Sequence, residues 1–346
     1  MDCLVSALVR KREVKNMREK KKIFKILAVV VICAAFTLLV PKLIPNQYMI
    51  NIVNNALLYF IAILGLSVML GMGGQVTFSI AGTMGIGAFF TAIFCVKLGW
   101  HPLMAILGSV VATMAIALVL GLALCRLKGS YFAFGSIALV HILYNIMLNW
   151  KPVTGGADGI SGIPKLDLVF YSCTTKEDYF YVFIVVAVLC GMIVGRIRTS
   201  SLGRSLASIR DNEIAAICMG VNIYQTKVIS FIIAGAFSSL AGSLLAFQNT
   251  NITAELFTFE QSAIFLVMSM LGGIESTIGV FVGTILLTVM PEWMRVLASY
   301  YKLVYGIGVI LLMIFMPMGL AGLVQTIYKK IKRRKKAKMK ASGVGS

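Results

Sequence analysis

The side chains able to do chemistry are few in this chain, and most gather in one place. Histidine occurs only at His101 and His141, far apart and outside any HExxH pattern, so neither a zinc site nor a histidine acid–base pair is indicated. Cysteines are scattered, with Cys33, Cys95, Cys125 and Cys190 inside apolar runs and no CxxC pair; they read as small buried hydrophobes. A GxxxxGK[ST] phosphate loop is missing, since the dipeptide Gly-Lys does not occur, and so is GxSxG. The chain is therefore not expected to be an ATPase of the phosphate-loop type, and nothing nominates a serine hydrolase. What remains is residues 196–227, whose centre reads SLGRSLASIRDNEIAAICMGVN. There Arg204, Arg210, Asp211 and Glu213 alternate with Ile209, Ala215, Ala216 and Ile217. That mixture suits binding to a groove that grips apolar knobs and reads charges at its rim. A solvated amphipathic loop is the competing account. The pattern predicts one short helix over 205–219, stopped by Gly220.

The elements that must carry this segment are set by composition. Of 346 residues, 59% are hydrophobic and only 13% charged, with a mean hydropathy of +0.91, more apolar surface than a soluble domain can hide. Crossing a bilayer takes roughly 20 apolar residues as a helix, which alone satisfies its own backbone hydrogen bonds in lipid. Stretches of this kind lie at 26–40, 48–72, 76–96, 102–125, 131–150, 179–195, 228–248 and 303–324. The expected fold is an all-α polytopic membrane protein.

The net charge of +19 is concentrated at 10–25 and 329–340, directly beside spans. Flanking Lys and Arg of this kind orient spans, which puts both termini in the cytoplasm and makes membrane lipids, not nucleic acid, their partner. A basic run before an apolar one also describes a signal peptide. PKLIPN follows the first run in place of a small-residue cleavage site, so it is expected to stay as a span. Parity then sets the count. If 254–290 were one span the basic tail would fall outside; two helices over 256–271 and 278–297, turning at GGIEST, keep it inside, and a re-entrant hairpin does the same. The expectation is about ten transmembrane or partly re-entrant helices. Segment 1–22 would be a basic cytoplasmic arm, 23–325 the membrane domain, 151–178 an external loop, 196–227 a cytoplasmic loop and 326–346 a basic cytoplasmic tail.

Polar residues inside the spans are sparse. His141, Asn145 and Asn149 form an i, i+4, i+8 stripe fit for a cavity-facing edge, with hydrogen bonding between helices as the competing account; the same holds for Asn51, Asn54 and Asn55. Helix breaks are expected at Gly73, Gly74 and Gln75, and again at Gly272, Gly273 and Glu275, which parity places on the same side of the membrane. The external stretch TGGADGISG, with Thr154, Gly155, Gly156 and Asp158, is turn chemistry with accessible backbone groups.

Five ordered blocks carry a resemblance. Residues 203–244, GRSLASIRDNEIAAICMGVNIYQTKVISFIIAGAFSSLAGSL, resemble the cytoplasmic segment of ABC importer permeases of the branched-chain amino-acid type, specifically the LivM-like subunit. GMGGQVTFSIAGTMGIGAFF at 71–90, RLKGSYFAFGSIALVHILYNIMLNWKPVTGGADGISGIP at 126–164, MSMLGGIESTIGVFVGTILL at 268–287 and MPMGLAGL at 316–323 resemble its other motifs. The family's Glu-Ala-Ala pattern stands here as Glu213, Ala215 and Ala216 with Ile214 inserted, followed by Gly220; Ser79-Ile80 replace its usual Gly-His, Glu275 its second Gly and Val280 its Pro. The resemblance implies an ABC importer permease fold and a coupling role for Gly203, Arg204, Arg210, Asp211, Asn212, Glu213, Ala215, Ala216 and Gly220. It implies, as partners, a second related permease, two ABC ATPase subunits that hold ATP and Mg, and an extracytoplasmic substrate-binding protein, for which the loop at Thr154, Gly155, Gly156 and Asp158 is a docking candidate. This chain would itself hold no cofactor or metal. The expected function is import of Leu, Ile or Val by ATP-driven alternating access; a urea or short-chain amide permease, and a stand-alone carrier or channel, are the alternatives.

Overall fold

The computed structural model describes residues 47–168, 171–173 and 175–293, with Gly306. The expected first and last spans, 26–40 and 303–324, and both basic terminal segments lie outside them. Residues 1–50 and 51–346 form two units, and of the first only 47–50, the opening turn of a helix, is described.

Helix α1 (Gln47–Leu66) runs into a π-helical turn, Ser67–Met72; α2 is Ile80–Val96, α3 Pro102–Leu124, α4 Ser130–Asn149 and α5 the single turn Lys151–Thr154. Then come α6 (Lys176–Thr199), α7 (Ser201–Asp211), α8 (Glu213–Cys218), α9 (Ile223–Asn249), α10 (Phe259–Gly272) and α11 (Thr277–Trp293). Strand content is two-residue bridges: β1 (Ile160–Ser161) with β4 (Asn251–Ile252), and β2 (Asp167–Leu168) with β3 (Tyr171–Ser172), both antiparallel. Local chemistry explains several boundaries. Pro102 opens α3 where its missing N–H costs nothing. Thr175 and Asp178 close a reciprocal capping box on α6, which has acids in its first turn and Arg196 and Arg198 in its last, complementing the helix dipole. The single helix expected over 205–219 is instead two, α7 and α8, because Asn212 leaves helical geometry (φ −162°) and caps the second with its own side chain.

The direction of each helix follows from what its ends touch. The π turn of α1 ends at α7, where Gly71 O accepts from Arg210 Nη1 (2.7 Å). α2 leaves from that same end, beside Arg210, and finishes where Lys97 Nζ donates to Pro152 O and Val153 O, just past α4. α3 returns, its Leu122 O accepting from Tyr224 Oη at the start of α9 (2.7 Å). α6 starts at the opposite end, where Lys176 O accepts from Asn54 Nδ2 (3.0 Å), and ends at α7. α10 begins past β4 and ends where Ile274 packs on Gly71. Hence α1, α3, α6 and α10 run one way and α2, α4, α9 and α11 the other. α10 and α11 have 14 and 17 residues, about 21 and 26 Å at the helical rise, yet α10 joins the two ends of the bundle.

α1, α2 and α9 are buried along most of their length, whereas α3 and α6 turn Leu107, Val111, Val119, Val185 and Ile193 outward, a lipid-type surface. Apolar surface gives no net drive for helices to meet in lipid, so close backbone approach and hydrogen bonds must do it. A Cβ on Gly242 would overlap the Met84 carbonyl, and one on Gly87 would overlap Ser239, so α2 and α9 touch backbone to backbone. Hydroxyls lock the same seam: Thr83 with Ser238 (2.7 Å), Thr91 with Ser243 (2.8 Å), and, from α3, Ser109 with Ser243 (2.7 Å) and Thr113 with Ser239 (2.9 Å). Each such bond is worth about 0.6 kcal/mol in a membrane interior. Gly242→Val is expected to force the helices apart and cost about 2 kcal/mol or more, read as a lower unfolding midpoint in detergent. Gly195→Ala, inside α6 with open space at its Cβ, is expected to leave the midpoint no lower and to raise it slightly.

Candidate functional site

The segment between α6 and α9 is built by three local devices. Ser200 Oγ accepts from Gly203 N (3.3 Å) and starts α7, and Gly203 lies so close to the Ile197 and Arg198 carbonyls that no Cβ fits. α7 then lies down on the bundle, burying Leu206 against the Gly73 backbone together with Ile209. Asn212 Oδ1 accepts from Ile214 N (2.9 Å) and Ala215 N (3.1 Å), opening α8 at an angle. Gly220, at φ +80°, closes it: Gly220 N bonds to Ile217 O and Val221 N to Ala216 O, the paired bonds of a left-handed C-terminal stop.

Two charged residues of this segment, Arg210 and Glu213, pair with groups elsewhere in the chain. Arg210 Nη1 reaches Gly71 O and Glu275 Oε1 (2.9 Å). Glu213 Oε1 accepts from Lys227 Nζ at 2.6 Å, and Lys227 is buried (7% exposed), so the carboxylate compensates a charge that water cannot reach. Arg204 Nη1 bonds to Thr199 O, and Asp211 stays exposed, 3.6 Å from Arg210 Nε. Ala216 is buried under α8 and Ala215 is exposed. What faces away is apolar: Ile214 is 75% exposed, Ile217 60% and Met219 84%, with Cys218 beside them. Cys218 thus departs from the expected burial of the cysteines, which Cys95, Cys125, Cys173 and Cys190 follow. Two large apolar side chains on a six-residue helix, with Met219 just past its end, make an exposed apolar patch.

Beneath α7 the two glycine breaks meet. Gly74 adopts φ +66° and has Arg210 Cγ where a Cβ would stand (2.8 Å); Gly273 adopts φ +92°. A Cβ on Gly71 would lie 2.6 Å from Ile274 O, so the π turn and the 272–277 turn are in contact. Arg198 Nη1 donates to the Glu275 carbonyl. Gln75 is buried, and neither atom of its side-chain amide has a hydrogen-bond partner. One guanidinium, Arg210, therefore joins α7 to the breaks at both Gly73–Gly74 and Gly272–Gly273. Lys227, Arg198 and Ile274 were not singled out by sequence. Lys227 carried a usable signal, since a lysine opening an apolar span needs a carboxylate near it.

Elsewhere, His141, Asn145 and Asn149 share one exposed face of α4, with Ile142, Ile146 and Trp150 lining an open groove of about 700 Å³. Their amides do not bridge helices: Asn145 Nδ2 donates to His141 O (2.8 Å) and Asn149 Nδ2 to Asn145 O (2.9 Å), while the His141 ring stacks on Phe259. The loop after α5 is tightly folded. Thr154 is buried, its Oγ1 donating to Met147 O and accepting from Gly156 N; Gly155 and Gly156 take positive φ, and Asp158 is exposed. Among the described residues no cluster of His, Cys, Asp and Glu could hold a metal ion.

Residues 48–316 match the profile of a family described as branched-chain amino acid transport system / permease component. The chain is 30% identical to the high-affinity branched-chain amino acid transport system permease proteins LivM of Salmonella typhimurium and of Escherichia coli, over 87% of this chain and 75% of each of theirs. It is 27% identical to the galactose/methyl galactoside import permease protein MglC of Haemophilus influenzae, over 56% of this chain and 60% of that one. No solved structure matches. The Glu213–Lys227 pair is expected to respond asymmetrically in detergent unfolding. Glu213→Ala, which strands the buried ammonium, should cost about 2 kcal/mol, while Lys227→Met, which leaves a half-exposed carboxylate, should cost under about 1 kcal/mol. Combining them should restore most of the loss.

Proposed function

The chain belongs to the branched-chain amino acid transport system permease-component family, and on that premise we propose that it is the membrane subunit of an ATP-driven importer of branched-chain amino acids in a bacterial-type cytoplasmic membrane. The observation that carries this reading is α8 and its C-terminal stop, where Ile214, Ile217 and Met219 stand out while Arg210 and Glu213 are paired within the chain. Such a surface suits the cleft of an ATPase subunit, two of which would hold ATP and Mg. The α7–α8 end of the bundle is then cytoplasmic and the loop of Gly155, Gly156 and Asp158 extracytoplasmic, where a substrate-loaded binding protein would dock.

Arg210 supplies the transmission. Force on α8 passes to α7, and Arg210 hands it to the Gly71 carbonyl and the Glu275 carboxylate, hence to the breaks of α1–α2 and α10–α11 together. Nucleotide drives the cycle because it stabilises one arrangement of the ATPase pair over the other, and a ligand shifts an equilibrium only through such unequal affinity. The polar stripe of His141 and Asn145 on the outer face of α4 is ill suited to lipid and suits a path shared with a second, related permease. A substrate without net charge fits a membrane interior with so few charged side chains. The likeness to LivM proteins supports Leu, Ile and Val as that substrate.

Reconstitution tests the reading. Leucine uptake is expected only when permease pair, ATPases and binding protein are all present; uptake by this chain alone on an ion gradient would overturn it. Ile214→Asp with Met219→Asp should abolish co-purification with the ATPase while leaving the unfolding midpoint in place. Arg210→Ala should keep the complex assembled but cut leucine transported per ATP hydrolysed about tenfold, the equivalent of losing one hydrogen-bonded charge contact.

A further inference from the structure

At the end of the bundle opposite α7 and α8, three amides from two helices meet. Gln248 sits in the last turn of α9, and its Nε2 donates to Asn51 Oδ1 (2.7 Å) and to Asn55 Oδ1 (3.0 Å), one turn apart on α1. Both hydrogens of that Nε2 are spent, and three polar atoms are left over. Gln248 Oε1 is buried and has no hydrogen-bond partner. The Nδ2 groups of Asn51 and Asn55 make no hydrogen bond among the described residues, and each can donate twice. One turn further in, Tyr59 continues the stripe, its ring against Phe265. Asn51, Asn55 and Tyr59 are half-buried, as are Met49 and Val53, while Leu57, Leu58, Ile61 and Ile63 are closed off, so accessibility along α1 ends after Tyr59.

Amides that served only to hold two helices together would not leave a buried acceptor unpaired, since each such group costs about as much as a bond contributes. The arrangement is neutral, rich in donors, and keeps one acceptor in reserve. A carboxylate matches the donors and an ammonium the acceptor, while neither a lone anion nor a lone cation finds a counter-charge. We propose that Asn51, Asn55 and Gln248 form a subsite for the zwitterionic head of an amino acid at the extracytoplasmic mouth of the permease, with Asn51 and Asn55 Nδ2 on its carboxylate and Gln248 Oε1 on its ammonium. This rests on the amino-acid import reading above, and the subsite precedes the breaks at Gly74 and Gly273 on the way in.

The test uses the complete transporter, without other cysteines, carrying Tyr59→Cys as a reporter just below the subsite. The rate of its modification by a membrane-impermeant methanethiosulfonate is followed from outside. Leucine at about ten times its half-protecting concentration should slow modification about tenfold, as simple occupancy requires. N-acetyl-leucine, which lacks the ammonium, should not, and Gln248→Leu should remove the protection. Should Tyr59→Cys fail to assemble, Val53→Cys, part-exposed on the same helix and outside the three amides, reports instead. Modification that leucine leaves unchanged while leucine uptake persists would overturn the subsite. Protection by acetamide but not by leucine, in a transporter that takes up no leucine, would overturn the amino-acid reading and with it the assignment of the ammonium to Gln248.

Discussion

Everything else in this molecule hangs on the backbone contact between α2 and α9. In lipid the hydrophobic effect does not draw helices together, so the bundle needs places where main chains come close enough for dispersion and hydroxyl bonds to act. Gly87 and Gly242 provide that closeness, and the Thr83–Ser238, Thr91–Ser243 and Thr113–Ser239 bonds set its register. With α9 fixed in this way, Lys227 at one of its ends and Gln248 at the other are both placed, and each gathers a different kind of chemistry around it.

The two ends contrast in how they handle polarity. At the α7–α8 end Arg210 and Glu213 are paired within the chain, and the surface left beside them is apolar. At the opposite end the cluster of Asn51, Asn55 and Gln248 is neutral and its amides are only partly paired. α10 connects them in 14 residues, so the turn at Gly272–Gly273 is short-coupled to the outer loop. A π turn at Ser67–Met72 does the corresponding job on α1. π turns expose main-chain carbonyls, and here Gly71 O takes a guanidinium N–H.

Much of the described part of the fold was legible in the chain. The helices between 47 and 293, the break at 272–277 and the alternation of direction among those helices followed from apolar length and the placing of Lys and Arg, which are strong constraints in a membrane. The site was legible only in outline. Residues 203–220 could be found because charge is rare in this sequence, but the orientation of Arg210 and Glu213 could not, since their partners, Glu275 and Lys227, are distant in sequence or on the next helix. The split at Asn212 was missed for a local reason: an Asn beside Asp211 and Glu213 is compatible with a continuous helix until its side chain is seen bonding the next two amides. The stripe of His141, Asn145 and Asn149 was expected as a cavity-facing edge or as a seam of bonds between helices; in the structure its asparagine amides bond within their own helix, which spacing alone does not reveal.

The junction at Arg210 makes several substitutions interdependent. Its guanidinium ties residues from three separate sequence blocks: Gly71 and Gly74, the α7 helix, and the Ile274–Glu275 turn. Glu275 is half of an ion pair whose other half lies 65 positions away. Removing the arginine would take that partner from the carboxylate and clear the space beside Gly74, where the positive φ would still favour glycine. Replacements at 74, 210 and 275 therefore act as one coupled set and do not add independently.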